Sequence, residues 1–412
     1  MKYGEFAISR YHSNGFLVSL LFLVSLIAPS PVLHVIGITG RWVLLFAFST
    51  AFILITTFRI PVKSYVGGAI SISLFFAGLV SLYWGGDLRI AMVPLLWLLS
   101  VILVAMASSE DIVSFVKLST TFLIIIVVGA WIGFFLATSG MPSMMSFRNP
   151  DGRVNHLYLT TLTNSRVTLT LIRPAGIYDE PGSFSFFVCA IAAMRHVLDL
   201  DKRKTWFLLF AGFITFSLTH LIYVIAHIII ERKNTVFILL IIASMVSIVG
   251  VVSLLAPDAI NRFFLSRLML SAEANQVIAG DNRTTLLINA AKMIDFRTAF
   301  FGYDAATIAG GLEERRSLGI PGYSANPLTP MAATGILLSW PYYVTIVAYF
   351  ILSFKNRRNM VALGMLLLFI QRPYIGPNIG YTLVAVLFLR SLLIYNKPRF
   401  RSTHRHLERA GT

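Results

Sequence analysis

Charge is scarce in this chain. Only 13% of its 412 residues are charged, about half of the roughly one quarter found in an ordinary globular domain. So few charges cannot clothe a water-facing surface around 57% hydrophobic residues and a mean hydropathy of +0.77. The solvent expected for such a chain is the bilayer. Cysteine is nearly absent too: Cys189 stands alone, within the apolar run Phe184–Ala193. This excludes an intrachain disulfide, a cysteine-built metal site and a redox pair, and leaves Cys189 as a small helix-packing residue. Acidic residues are the rarer sign, 18 against 34 basic, for a net charge of +16. In a soluble chain that excess would suggest nucleic acid. Here the basic residues fall in short clusters between apolar runs, as topology signals do, and no nucleic-acid partner is expected.

What the chain has in quantity is apolar length. Runs near the roughly 20 residues a helix needs to cross a bilayer lie at 16–38, 42–58, 66–84, 90–107, 118–138, 182–198, 205–218, 219–231, 235–256, 328–354, 359–371 and 377–396. The expected fold is therefore an all-α polytopic membrane protein of about twelve transmembrane helices in one domain, 1–412. Lys2 and Arg10 precede the apolar stretch Phe16–Ala28 without a small-residue cleavage site, so this stretch is expected to be an uncleaved first helix. Thr205–Glu231 is either one long helix or two. A turn at Ser217–His220 puts Arg59 and Lys63, Arg195–Lys204, Glu231–Lys233, Lys355–Arg358 and the tail Lys397–Arg409 on the cytoplasmic side with both termini. One unbroken helix would send the later clusters outside.

The turned arrangement leaves two long extracytoplasmic segments, 139–173 and 257–325. Long loops in a compact protein usually carry function or are disordered. In the first, two alternating β-branched runs flank Asn164-Ser165 between His156 and Ile172, which predicts a short β-hairpin delivering Arg173 to the next span. In the second, Pro257-Asp258 and Asp281 are helix starts, and Leu286, Leu287, Ala290, Met293 and Ile294 follow at helical spacing, which predicts an amphipathic helix on the membrane surface. Arg262, Arg267, Arg283, Lys292 and Arg297 make this segment basic where topology does not require it, which points to an anionic ligand.

The densest polar stretch is Arg173-Pro-Ala-Gly-Ile-Tyr-Asp-Glu-Pro-Gly-Ser-Phe184, immediately before a span. It combines a cation, two carboxylates, and prolines and glycines that fix a non-helical path. At a bilayer edge such a segment is costly unless it lines a cavity. Arg173 and Glu180 can face one another or a shared ligand; the structural alternative is a re-entrant turn held by that pair. Other signals are weaker. Asp199-Leu-Asp201 imitates the metal-binding Asp-x-Asp of sugar transferases but sits in a basic cytoplasmic loop, Gly129-Ala-Trp-Ile-Gly133 is a helix-packing pattern, and His156 and Glu313–Arg316 read as solvated surface residues.

The stretch Arg173–Pro181 resembles the Arg-x-x-Gly-aromatic-x-Glu/Gln-Pro segment of the Wzy polymerase and O-antigen ligase superfamily. The resemblance continues in order. Asp281-Asn-Arg-Thr-Thr-Leu-Leu-Ile-Asn-Ala-Ala-Lys-Met-Ile294 with Phe301-Gly-Tyr303 is similar to the family's arginine-bearing loop helix and glycine-rich turn. Ser324-Ala-Asn-Pro-Leu-Thr-Pro-Met-Ala-Ala-Thr-Gly-Ile336 is similar to the segment that ends in Gly-Ile/Leu on entering a helix. Two departures are informative. Ala325-Asn326 stands where ligases carry His-Asn, which favours a polymerase, and Ser217-Leu-Thr-His220 stands where the family often carries Thr-x-Ser-Arg.

This resemblance implies an enzyme of the bacterial inner membrane that joins undecaprenyl-pyrophosphate-linked oligosaccharide repeat units into O-antigen or a related surface polysaccharide. Its partners would be the lipid-linked donor and acceptor, membrane lipids and a chain-length regulator protein. Pyrophosphate leaves as a stable anion, so arginines that hold its oxygens can replace a general acid. Arg173 is the first choice for that role, with Arg283, Arg262 and Arg267 next. Glu180, or Asp179, would take the proton of the attacking hydroxyl. Tyr178, His220 and Asn326 are further candidates for substrate contact. No periplasmic cluster has metal-ligand spacing, so a metal-independent reaction without cofactor is expected. The alternatives are an O-antigen ligase or another glycan transferase, and a lipid-linked oligosaccharide flippase, although internal repeats and mid-membrane charges of the transporter kind are not evident.

Overall fold

The computed structural model describes residues 22–24, 26–35, 64–84, 92–148, 154–164, 172–231, 282–303, 326–371 and 379–395. Most of these residues are helical. The principal helices are α1 (Ser64–Tyr83), α2 (Met92–Met106), α3 (Ser109–Thr138), α4 (Pro181–Val197), α5 (Lys202–Ala211), α6 (Leu218–Glu231), α7 (Asn282–Met293), α8 (Phe296–Phe301), α9 (Thr329–Ser353), α10 (Val361–Gln371) and α11 (Ile379–Tyr395). Two of them, α3 with 30 residues and α9 with 25, are long and apolar enough to cross a membrane; at 1.5 Å per residue α3 reaches about 45 Å, whereas α9 is broken by the non-helical backbone of Gly335 (φ 69°, ψ 165°). The runs expected at 42–58 and 235–256, and the arginines Arg262 and Arg267, lie outside the described residues.

The centre of the assembly is α4. Every residue from Pro181 to Arg195 is buried, and so is Val197, as expected of a helix that is apolar all round. Helices α3, α5, α6, α10 and α11 pack on it. Tyr178 stacks on Phe187, and Phe187 on Tyr381 of α11, each at 4.7 Å between centroids. The outer helices turn large apolar side chains away from this core: Ile125, Val128, Ile132 and Phe135 on α3, Ile222, Ile225 and Ile229 on α6, and Val344, Val347, Phe350 and Ile351 on α9. Apolar faces of this extent are unusual on soluble monomers.

Several boundaries differ from expectation. Helix α3 begins about two turns before the apolar run at 118, because Ser108 and Asp111 form a reciprocal capping box that starts the helix in polar sequence. The run 16–38 is interrupted at Ala28–Pro31, where Pro29 and Pro31 remove backbone donors, and a short helix resumes at Val32–Val35. Thr205–Glu231 is two helices, as the charge pattern required, but the break falls at Gly212–Phe216 rather than Ser217–His220. A 3₁₀ turn at Gly212–Thr215 ends in Phe216 with φ 46°, and His220 already belongs to α6.

The first long loop forms a three-stranded antiparallel sheet of β1 (Met145–Arg148), β2 (Val154–Tyr158) and β3 (Thr161–Thr163). A tight turn lies at Leu159-Thr160, with Leu159 at φ 46°; the hairpin expected about Asn164-Ser165 falls on 165–171, outside the described residues. Beyond it β3 pairs again with the segment that leads to α4: Leu162 N–H donates to the Gly176 carbonyl (2.7 Å) and Ala175 N–H to the Leu162 carbonyl (2.8 Å). The sheet rests on Gly129 and Gly133 of α3. A Cβ at Gly133 would stand 2.8 Å from the Tyr158 carbonyl, and Thr160 Oγ1 donates to the Gly129 carbonyl at 2.5 Å. The Gly-x-x-x-Gly pattern thus receives a strand turn instead of a second helix, since removing two side chains makes room for any close backbone.

Candidate functional site

The segment Arg173–Glu180 is fixed from three sides. On one side is β3, through the bonds above and through Thr163 Oγ1, which donates to the Arg173 carbonyl at 2.8 Å. From a second, Ser30 Oγ donates to the Ile177 carbonyl at 2.6 Å. The third is the corner between α5 and α6, where Arg173 Nε and Nη2 donate to the carbonyls of Thr215 (3.4 Å) and Phe216 (3.0 Å). Carbonyls at the close of a helical turn carry partial negative charge, so a guanidinium is a natural partner. Within the segment Gly176 adopts φ +61°, and a Cβ there would meet Ile126 Cγ2 at 2.5 Å, so both backbone conformation and space require glycine.

The segment ends where Glu180 begins α4. Its backbone is extended (φ −149°, ψ 154°), Pro181 occupies the first helical position, and its carbonyl accepts from Ser183 N–H at 3.0 Å. The Glu180 side chain does not cap the helix, yet it stands at the positive end of the helix dipole, which favours an anion. Asp179 Oδ1 accepts from Ser183 Oγ at 2.9 Å. Arg173, Asp179 and Glu180 are half-buried. The fold therefore holds one guanidinium and two carboxylates on a short, rigid, non-helical path at the head of the central helix.

The other expected contacts are distributed elsewhere. Tyr178 is fully buried, its hydroxyl lacks a hydrogen-bond partner, and its ring is packed in the aromatic stack under the segment. His220 is also fully buried: Nε2 bonds the Leu209 carbonyl (2.7 Å) and Nδ1 meets Cys189 Sγ (3.4 Å), so it ties α6 to α5 and α4 instead of lining a surface. Asn326 is buried, and its Oδ1 accepts from Leu328 and Thr329 N–H groups, which starts α9. Arg283 lies in the first turn of α7.

The two C-terminal segments that carried the resemblance meet each other. Gly302 (φ +72°) packs against Gly335 (φ +69°), where a Cβ on Gly302 would lie 2.6 Å from the Gly335 nitrogen, and Tyr303 N–H donates to the Ala332 carbonyl at 3.1 Å. Nearby, the Arg297 guanidinium lies over Tyr83 and Trp84 at 5.2 and 5.1 Å, and Asp295 caps α8.

No protein-family model matches the chain, and no curated protein matches it. The site must be judged on its own chemistry.

One group of residues went unnoticed in the sequence. At the far end of α4, His196 approaches His227 and Glu231 of α6, and their ligand atoms lie within 4.8 Å of one another. The Asp-x-Asp residues at this end have structural partners: Asp199 pairs with Arg358, and Asp201 caps α5 by accepting from Arg203 N–H (2.9 Å).

Proposed function

We propose that this chain is a multi-pass membrane glycosyltransferase that polymerises undecaprenyl-pyrophosphate-linked repeat units at the periplasmic face. The observation that carries the reading is the rigid segment Arg173–Glu180, which sets a guanidinium and two carboxylates at the head of a helix buried from Pro181 to Arg195. Such a segment is expensive beside lipid and suits a site that meets a charged headgroup.

In the proposed reaction the acceptor sugar hydroxyl attacks the anomeric carbon of the donor glycan. A carbon–oxygen bond forms as the bond from that carbon to the pyrophosphate oxygen breaks, and undecaprenyl pyrophosphate departs with the electron pair. Arg173 would hold its oxygens through its planar N–H fork. Glu180 takes the hydroxyl proton, with Asp179 as the second carboxylate. Arg283, Arg262 and Arg267 would extend the anionic subsite from the second loop. Helix α6, with 14 residues, spans only about 21 Å against a hydrocarbon core of about 30 Å. With the Glu231 end of α6 at one edge of that core, the α5–α6 corner that Arg173 grips would lie about 9 Å short of the other edge, a depth at which polar groups need a cavity that a lipid headgroup can enter.

Deletion of the gene in its bacterium tests the assignment. A polymerase loss leaves lipopolysaccharide core capped by a single repeat unit in place of a ladder, restored by the wild-type chain and not by Arg173→Ala. Uncapped core with polymerised lipid-linked glycan would make it a ligase. Absence of all capping with unpolymerised lipid-linked repeats on the cytoplasmic face would make it a flippase.

A further inference from the structure

At the end of α4 opposite Arg173, three side chains converge from two helices. His196 lies on the last turn of α4, and His227 and Glu231 occupy one face of α6 at the i, i+4 spacing that brings side chains together. His196 Nδ1 is 3.3 Å from Glu231 Oε1. Two ligands bound at 2.0–2.1 Å in a tetrahedron stand about 3.3 Å apart, so this pair already has the separation of one tetrahedral edge. All three ligand atoms lie within 4.8 Å of one another, which small side-chain rotations close.

The burial of His227 supplies an independent reason to expect a ligand. It is 1% exposed, and neither ring nitrogen has a hydrogen-bond partner; His196 Nε2 is likewise buried without one. A buried imidazole with both nitrogens unmatched loses the water bonds it had when unfolded and gains none in return, at a cost of about 1–3 kcal/mol. A cation bound between the rings gives one nitrogen of His227 a partner and so removes part of that loss. The ring is also walled by Trp206, Tyr223 and His196, with centroids 5.3, 5.9 and 4.8 Å away, so a bound ion would be shielded from bulk water on those sides.

We propose that His196, His227 and Glu231 bind one divalent transition-metal ion, with Zn²⁺ the best match. Two imidazoles and one carboxylate form a borderline donor set that favours Zn²⁺ over Mg²⁺ or Ca²⁺. The fourth position is taken by water. Lys202, whose ammonium lies 3.9 Å from Glu231 Oε1, has a side chain that is 66% exposed, so it can swing out as the ion enters. Residue 196 lies about 24 Å along the helix from residue 180, so the ion takes no part in chemistry at Arg173. Its effect is to clamp the last turn of α4 to the end of α6. This inference is independent of the polymerase assignment.

The test uses the full-length protein, purified in detergent without a polyhistidine tag, stripped by chelator and titrated with Zn²⁺ alone, with retained metal counted after desalting. Wild type, Cys189→Ala and Lys202→Ala are each expected to retain one equivalent. His196→Gln and His227→Gln are expected to bind at least about tenfold more weakly. Equal binding by wild type and His227→Gln, no retention by wild type, or loss in Lys202→Ala would overturn the site. Should the glutamine variants fail to fold, Co²⁺ added to the stripped wild type decides: visible d–d bands of a four-coordinate nitrogen–oxygen site support the proposal, and a spectrum matching free Co²⁺ overturns it.

Discussion

At its first residue α4 meets a segment shaped by its own sequence: Pro174, Gly176 and Pro181 set the path, and Arg173, Asp179 and Glu180 ride on it within eight positions. At its last turn the same helix meets partners gathered from afar. Arg195, 2% exposed, donates to Thr205 Oγ1 (3.1 Å), Thr120 Oγ1 (2.9 Å) and the Asp201 carbonyl (2.7 Å). Beside it Glu231 accepts from His196, and Arg357 donates to the Ile230 carbonyl at 3.3 and 3.1 Å. One end presents charge on a path held mainly through its backbone. The other consumes charge in side-chain bonds between helices. Mutations should therefore separate the two ends, the first through turnover and the second through stability.

The largest contrast is topological. In a Cys189→Ala background, Ser146→Cys on β1 should react fully with a membrane-impermeant thiol reagent in intact spheroplasts, and Lys355→Cys, exposed at the basic end, should not. Labelling of Lys355→Cys alone would invert the arrangement.

Next in size is turnover at the first end. Glu180→Gln keeps the shape and loses the proton acceptor, so the proposed polymerisation, assayed with the purified protein, should fall at least about a hundredfold. Arg173→Lys keeps the charge and loses the planar fork, for a fall of at least about tenfold. Near-normal turnover in both would leave the segment a structural turn.

Stability should respond at the second end. Arg195→Met removes three hydrogen bonds, two of them to the buried Thr120 and Thr205 hydroxyls, so unfolding in detergent should become easier by about 2 kcal/mol, while turnover per folded molecule is unchanged. A variant that unfolds normally but loses turnover would erase the distinction between the ends.

The smallest effect concerns a helix end outside both. The Asp295 carboxylate accepts from Thr298 N–H at 2.7 Å, and that backbone bond holds its pKa below the usual value. A depressed carboxyl supports the fold above its unfolded pKa and loses that support as pH falls through the folded value. Protection of the Thr298 amide should therefore drop below about pH 4 and show no such step in Asp295→Asn.

The sequence revealed most where one signal acted alone. Long apolar stretches located α1, α2, α4, α9, α10 and α11 to within a few residues, because burial in one helix needs no partner in sequence. It misled where a local device outweighed hydropathy, as in the Ser108–Asp111 capping box and the Pro29–Pro31 break. The candidate site followed the same rule. Arg173–Glu180 is contiguous and stood out by composition. His196 lies far from His227 and Glu231 in the chain, so neither residue type nor spacing revealed their convergence. His220 looked like a turn residue only because the break was placed one helical turn too late.

The way the three-stranded sheet is fastened has a consequence for how this protein can vary. Its anchorage runs through β3, Thr160 and the glycines of α3, whereas β1 leaves Met145, Ser146 and Arg148 exposed at the outer edge. Residues that carry no packing are free to drift. The outer strand can therefore be rewritten, by selection or by design, or accept an inserted peptide, while the helices beneath keep their register.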